Sequence, residues 1–222
     1  MDLTALTGLL QDALPLMLKG ALWTLLLAVC SVFFGALLGT LVAIVRLARL
    51  PGLAQLAALY VSCMRGTPLL VQLFVIYFGL PSIGIQFDPI TAGILGLSLN
   101  VGAYLSETIR GAINGVPHGQ TNAALSLGLT RAQALCYVVG PQALRLAVPS
   151  LSNSLISLIK DTSLVSVIAV GELMLATKEV IATTFQPFPL YLAAAAIYWA
   201  MSASFEVLQK KLETRLNRSH AR

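Results

Sequence analysis

Residues 119–131 have the sequence Gly119-Gln-Thr-Asn-Ala-Ala-Leu-Ser-Leu-Gly-Leu-Thr-Arg131 and lie between long apolar segments. The run is too polar to cross a membrane, yet its alanines and leucines are good helix formers. A polar, helix-forming run between apolar segments predicts an ordered loop at the membrane surface. We therefore expect this loop to bind a soluble partner, and the apolar segments around it to form the membrane domain.

The composition indicates a membrane protein with several spans. Apolar residues make up 57% of the 222 residues and charged residues only 10%, well outside the usage of soluble domains. A helix needs about 20 apolar residues to cross the hydrocarbon core. Five segments are long enough, at about 16–45, 55–80, 90–110, 147–170 and 189–209. The expected fold class is an all-α membrane protein with five transmembrane helices.

The positions of the basic residues predict the topology. They follow the first span, flank the loop between the third and fourth spans, and follow the last span: Arg46, Arg49, Arg110, Arg131, Arg145, Lys210, Lys211, Arg215, Arg218 and Arg222. On the other side lie Lys19 and Lys178. Because cytoplasmic loops carry the excess of Lys and Arg, the N-terminus is expected outside and the C-terminus inside. The basic balance is therefore a topology signal, together with attraction to anionic lipid, and not a nucleic-acid footprint.

A bundle of five short spans is too thin to enclose a pathway, so we expect oligomerisation. Gly35 and Gly39 in the first span form a small-xxx-small step that allows close helix approach. This step is consistent with packing inside one subunit or with a seam between subunits.

The inner loop, 111–146, divides into shorter parts. Residues 120–127 predict one short helix, Gly128 interrupts it, and Thr130 is suited to cap a second helix that begins near Arg131. Pro141 marks the approach to the fourth span. A helix–Gly–helix element parallel to the membrane is the geometry expected of a lever that docks on a cytosolic protein. On the other side, residues 171–188 predict a longer outer loop.

The fourth span carries a polar stripe. Ser150, Ser154, Ser157 and Asp161 are spaced by four, three and four residues, so they share one helical face. Charged groups at membrane depth are costly and usually functional. The stripe predicts a face that lines a watery cavity, or else a tightly packed helix contact with Asp161 paired to another span.

The third span carries a similar stripe of Asn100, Tyr104 and Glu107. Asn100 by itself is more typical of a helix–helix hydrogen bond than of a ligand contact. With Glu107 on the same face, a cavity role and a packing role are both open.

The second span is interrupted by Arg65-Gly66-Thr67-Pro68. Proline removes a backbone donor and disturbs the preceding turn. A broken helix at membrane depth frees backbone groups that can line a cavity. Arg65 is then placed to meet a substrate carboxylate or to pair with Asp161 or Glu107; the alternative is an arginine that extends to the inner surface.

Several kinds of chemistry have no support in the sequence. The chain has no G-x-x-x-x-G-K-[ST] phosphate loop, so ATP hydrolysis by that route is not expected. His118 and His220 lack partners at metal-ligand spacing, and no Ser/His/Asp arrangement is evident. We expect no catalytic residue, no metal site and no cofactor in this chain.

Three runs resemble the signature segments of polar amino acid ABC importer permeases. They are Arg65-Gly-Thr-Pro-Leu-Leu-Val-Gln-Leu73, Ala103-Tyr-Leu-Ser-Glu-Thr-Ile-Arg-Gly111 and Leu158-Ile-Lys-Asp-Thr-Ser-Leu164. The run Asn122-Ala-Ala-Leu-Ser-Leu-Gly128, continuing to Pro141-Gln-Ala-Leu-Arg145, resembles the EAA loop of binding-protein-dependent permeases. Two positions depart from that pattern: Asn122 stands where the family usually has Glu, and Gly140 where Leu is common.

The resemblance implies a single permease domain, 1–222, with a coupling loop at about 117–145, in the bacterial inner membrane. It implies a second permease subunit, identical or a sibling, an ABC ATPase dimer inside that binds the ATP and Mg, and an external solute-binding protein. The loop contact with the ATPase is expected at Asn122, Ala123, Ala124, Gly128 and Arg131. The pathway for a polar amino acid or close analogue, moved by alternating access, is expected at Arg65, Gly66, Thr67, Asn100, Glu107, Ser157 and Asp161. The alternatives are an ion-coupled secondary transporter that uses Glu107 or Asp161, and a membrane scaffold that transports nothing.

Overall fold

A computed structural model describes residues 3–218, and expectations about the remaining residues, such as His220 and Arg222, lie outside the described part. The helices are α1 (Leu3–Leu47), α2 (Leu53–Gly66), α3 (Leu69–Phe74), α4 (Pro89–Gly115), α5 (His118–Ser126), α6 (Arg131–Ala134), α7 (Gly140–Asp161), α8 (Leu173–Thr184) and α9 (Pro187–Arg218). A π-type turn, Val75–Gly79, and a 3-10 turn, Leu80–Ile83, extend α3. A second π-type turn, Leu135–Val139, joins α6 to α7, and a 3-10 turn, Thr162–Ile168, follows α7. Across residues 3–218 the fold is all-helical, as expected.

Four long helices and one bent pair are apolar enough to cross a membrane. The long ones are 7–47, 89–115, 131–168 and 187–211. The bent pair is 53–66 with 69–83, and the helix direction changes by 109° at the break. Four to five spans are consistent with the expected five, and the bend falls at the predicted interruption in the second span.

The contact between α1 and α4 depends on glycines. A Cβ atom built on Gly35 would lie 2.4 Å from a Val101 methyl carbon, and one on Gly39 would lie 2.7 Å from the carbonyl oxygen of Gly102. Neither position has room for a side chain, so the two helices can approach this closely only because both residues are glycine. The small-xxx-small step therefore packs two helices of one subunit.

The helix that carries the fourth span begins earlier in the chain than the expected span. Thr130 caps α6 as predicted: its hydroxyl accepts the Gln133 N–H at 3.3 Å, and the Gln133 side chain accepts the Thr130 N–H. The helix then continues from Arg131 to Ile168, instead of starting near residue 147. The π-type turn ends one residue before Gly140-Pro141, and this wider turn accommodates a proline that has no N–H to donate.

The segment 171–188, for which the sequence predicts an outer loop, is more ordered than a loop. Residues 173–184 form α8, whose first turn is capped by the Glu172 side chain. The helix ends at Phe185, which has a left-handed backbone with φ of 53°. A single acidic cap was too weak a signal to separate a short helix from a loop.

Candidate functional site

The break in the second span exposes a specific backbone group. Thr67 is extended, with φ of −120° and ψ of 148°, and Pro68 has no N–H. In a continuous helix the N–H of residue 68 would bond the carbonyl of Met64, so this carbonyl has lost its regular donor. Burial of such a group in a membrane protein requires a replacement donor.

Side chains supply the missing donors. The Gln72 amide nitrogen donates to the carbonyl oxygens of Met64, at 2.9 Å, and Thr67, at 3.1 Å. The Asn100 amide nitrogen donates to the Met64 carbonyl at 3.2 Å and to the Gln72 side-chain oxygen at 3.0 Å. The Thr67 hydroxyl donates to the Cys63 carbonyl at 2.8 Å. The two arms of the broken span are thus joined to each other and to α4.

A cavity of about 450 Å³ lies beside this break. That volume falls in the range of small-molecule sites, roughly 300–1,000 Å³. Its walls come from the break, α4 and α7, and its polar lining residues are Thr67, Asn100, Tyr104, Asn153, Ser154, Ser157 and Asp161. The polar stripe of the fourth span therefore faces the cavity at Ser154, Ser157 and Asp161, whereas Ser150 is not in the lining.

Asp161 is the charged residue of the lining. It is half-buried and, within the described residues, it makes no hydrogen bond or ion pair through its side chain. Its neighbour Lys160 is exposed and is absent from the lining. A half-buried carboxylate without a hydrogen-bond or ion-pair partner among the described residues is costly in a membrane unless water or a cationic solute meets it. The cavity is thus suited to a solute that carries an ammonium group.

Arg65 lies behind the lining. Its guanidinium stands over the Tyr104 ring, 5.3 Å from the ring centroid, in a cation–π contact. Arg65 is exposed, and neither Arg65 nor Gly66 is part of the lining. The arginine expected to meet a substrate carboxylate is therefore one aromatic ring away from the cavity.

Glu107 is placed apart from the other predicted pathway residues. Its carboxylate pairs with Arg46 of α1 and with Arg110, whose guanidinium is 2.7 Å away. Glu107 does not belong to the cavity lining. The structure thus brings together Thr67, Asn100, Ser157 and Asp161, while Glu107 joins α1 to α4.

The loop between α4 and α7 forms the helix–Gly–helix element in full. Gly128 has φ of 84°, a left-handed conformation that favours glycine. Asn122, Ala123 and Arg131 are exposed, whereas Ala124 is buried. Leu127 at the end of α5 is 84% exposed, so the element presents an apolar tip.

Two polar clusters were not anticipated. One is the amide pair of Gln72 and Asn100. The other centres on Glu172, which is fully buried and accepts hydrogen bonds from the hydroxyls of Tyr198, at 2.6 Å, and Thr24, at 3.3 Å. In the sequence, the first cluster is marked only by a glutamine in an apolar run after a helix-breaking proline. The second is marked only by an acidic residue in front of a short helix. Neither signal identifies the partner.

Comparison with known proteins gives consistent results. Residues 35–218 match the family described as "Binding-protein-dependent transport system inner membrane component". The chain is 42% identical, over 93% of its length and 92% of the relative, to the "Probable amino-acid ABC transporter permease protein YckA" of Bacillus subtilis (strain 168). It is 41% identical, over 94% of its length and 89% of the relative, to the "L-cystine transport system permease protein TcyB" of the same organism.

Solved structures show the same similarity. A chain from "Crystal structure of an amino acid ABC transporter with histidines" superposes with a TM-score of 0.90 at 36% identity, covering 97% of this chain and 99% of that one. A chain of the MetNI methionine ABC transporter in an inward-facing conformation superposes with a TM-score of 0.77 at 19% identity, covering 91% and 97%, and this likeness concerns the fold alone.

Proposed function

The chain belongs to the binding-protein-dependent transport system inner membrane component family, as an inner-membrane permease of an amino acid ABC importer, and from this premise we propose that the Asp161 cavity receives the transported amino acid. The family consists of membrane subunits driven by a separate ATPase. Neither the ion-coupled transporter nor the scaffold has support from the relatives.

The unpaired carboxylate of Asp161 carries this proposal. An amino acid brings an ammonium group that must be matched as it leaves water, since an unpaired charge is expensive to bury. Asp161 offers the opposite charge, and Ser157 offers a hydroxyl on the same helical face. The solute carboxylate requires donors, and the hydroxyl of Tyr104 is available in the lining, with Arg65 stacked over the Tyr104 ring and outside the lining.

The family and the distribution of charge support a proposal for the assembly around the permease. We propose that two permease subunits form the pathway, with an ATPase dimer inside and a solute-binding protein outside. The exposed faces of α5 and α6, including Asn122, Ala123 and Arg131, would contact the ATPase, with Ala124 and Gly128 holding the shape of the element. This placement requires the N-terminus outside and the C-terminus inside, the orientation favoured by the basic residues. ATP and Mg would bind the ATPase and not this chain.

The experiment compares two carboxylates in the reconstituted importer. Asp161→Asn and Glu107→Gln are each expressed with the ATPase and the binding protein, and assembly is measured beside ATP-driven uptake of the amino acid that best stimulates ATP hydrolysis. We expect Asp161→Asn to assemble normally and to lose at least about ten-fold in uptake, the equivalent of one charge-assisted contact. Glu107→Gln is the matched control, because its carboxylate is committed to Arg46 and Arg110.

The outcomes distinguish recognition of the solute by Asp161 from a structural role of Asp161 in the helix bundle. Normal assembly with normal uptake and unchanged substrate dependence in Asp161→Asn would exclude direct recognition. Lost assembly in Asp161→Asn would assign the carboxylate to the bundle instead. Glu107→Gln is expected to weaken assembly or stability before it changes which amino acid is transported.

A further inference from the structure

We propose that Gln72 is a positioning residue of the transport pathway: together with Asn100 it forms an amide clamp that holds the broken second span at its bend and so keeps the cavity wall in place. The inference rests on the proposed function only in so far as the clamped wall belongs to the Asp161 cavity. It assigns a role to Gln72 and changes the role expected of Asn100 from solute contact to support.

The clamp starts from the backbone defect at Pro68. The Met64 carbonyl has no N–H four residues ahead of it, and it accepts two side-chain amides instead, from Gln72 and from Asn100. The first donor lies on the outer arm of the break and the second on α4. One orphaned oxygen is thus the point where three segments of the chain meet.

Gln72 is committed entirely to this task. The residue is buried, with an exposed fraction of 7%. Its nitrogen has acceptors in Met64, in the Thr67 carbonyl at 3.1 Å and in the Thr67 hydroxyl at 2.9 Å, and its oxygen accepts from Asn100 at 3.0 Å. The two amide hydrogens have three acceptors between them, so one hydrogen is shared by two acceptors. No donor capacity remains for a solute.

Asn100 is committed in a related way. Its side-chain nitrogen carries two hydrogens, and these go to the Met64 carbonyl and to Gln72. Asn100 lines the cavity, but it has no free N–H with which to bind a carboxylate. Its contribution is to fix the register of α4 against the break.

The consequence for transport is geometric. Thr67, Pro68 and Leu69 form one wall of the cavity, and they lie at the 109° bend between the two arms. Without the clamp the bend loses its link to α4 and the exposed carbonyls seek water or other donors. A wall that moves changes the distances between the lining groups and the solute.

The test uses graded substitutions of one side chain in the full importer. Gln72→Met preserves the length of the side chain and removes its amide, whereas Gln72→Glu, buried and protonated, keeps one O–H donor. Gln86→Met is the matched control, because Gln86 is exposed in the outer connection and takes part in no such network. We expect the maximal uptake rate to fall about ten-fold in Gln72→Met and less in Gln72→Glu, with an unchanged KM for the loaded binding protein, because Gln72 is buried and has no donor left to contact it.

A spectroscopic readout addresses the bend directly and does not depend on transport. Spin labels are placed at Leu56→Cys and Val75→Cys, exposed positions on the two arms, in a variant without native cysteines, and the labelled permease is diluted with unlabelled copies. The distance distribution between the labels is expected to be narrow with Gln72 and clearly broader with Gln72→Met. If Gln72→Met fails to reach the membrane, Asn100→Ala carries the same expectation, since it removes one donor from Met64.

The outcomes distinguish the two proposals. An unchanged label distribution and an uptake rate equal to that of Gln86→Met would overturn the clamp. A Gln72→Met variant with the label distribution of the unsubstituted permease would also contradict it, because the volume of the side chain without its amide would then be enough to hold the bend. If the unsubstituted importer transports no amino acid, the proposed function fails, while the label distances still decide the clamp.

Discussion

Tyr198→Phe removes one hydroxyl and tests whether the buried Glu172 cluster holds α1, α8 and α9 together. The Tyr198 hydroxyl donates to Glu172 Oε2 at 2.6 Å, and the Thr24 hydroxyl reaches the same oxygen at 3.3 Å. The other oxygen, Oε1, accepts the Leu175 N–H at 2.9 Å. These bonds connect α1, α8 and α9 through one side chain.

The size of the effect follows from the kind of bond that is lost. A hydrogen bond to a charged or strongly polar buried group contributes about 1.5–3 kcal/mol. Oε2 would keep only the longer bond from Thr24, so a loss within that range is expected. For a domain of about 150–250 residues each kcal/mol shifts Tm by roughly 2–4 °C. Tyr198→Phe should therefore lower Tm by roughly 3–12 °C.

The assay is thermal unfolding of the purified permease in detergent. Tyr191→Phe is the matched control, because Tyr191 lies on the same helix, is exposed, and has no hydrogen bond among the described contacts. A double-mutant cycle with Glu172→Gln should show that the effect of Tyr198→Phe shrinks when the carboxylate is absent. Equal Tm values for Tyr198→Phe and Tyr191→Phe, or strict additivity in the cycle, would refute a stabilising bond to Glu172.

Four further outcomes are expected. Burial raises the pKa of Glu172 above its usual range despite its hydrogen bonds. The contribution of Glu172 to stability is therefore full below the unfolded-state pKa of about 4.3 and is lost as pH rises through the folded-state pKa. Tm measured across pH 4–8 should show this decline, and Glu172→Gln should flatten it. Gly39→Val should abolish the close approach of α1 to α4, since even a Cβ atom would lie 2.7 Å from the Gly102 carbonyl oxygen. The measurement is the yield of folded protein recovered from membranes, and a wild-type yield would contradict the packing. Gly128→Pro should leave the spans inserted but disrupt the positive-φ turn, because proline cannot adopt φ of 84°; full co-purification of the ATPase with normal uptake would count against the coupling loop. Single cysteines at Ser82 and Thr183 should react with an impermeant thiol reagent from outside, whereas a single cysteine at Thr214 should react only after permeabilisation. A reversed pattern would overturn the topology.

Local features could be predicted well from the sequence. The apolar segments indicated the spans, because a helix of about 20 apolar residues has few stable locations other than a bilayer. Gly128 and Thr130 indicated the turn and the helix start in the inner loop, since a positive φ and an N-cap are properties of one or two residues and their immediate neighbours. Pro68 likewise marked the bend. The residues that contact the ATPase and the orientation of the termini stay predictions.

Partners across the bundle were decided by the tertiary structure. Periodicity placed Asn100 and Glu107 on one stripe of α4, yet Asn100 bonds the break of the second span while Glu107 pairs with Arg46, which is 61 residues away in the chain. Glu172 meets Thr24 across 148 residues. A helical stripe is a property of local spacing, whereas the group that it meets depends on the rotation, depth and crossing of helices distant in sequence. Those are set by the close packing of the whole bundle, beginning at glycines such as Gly39, and no local pattern contains them.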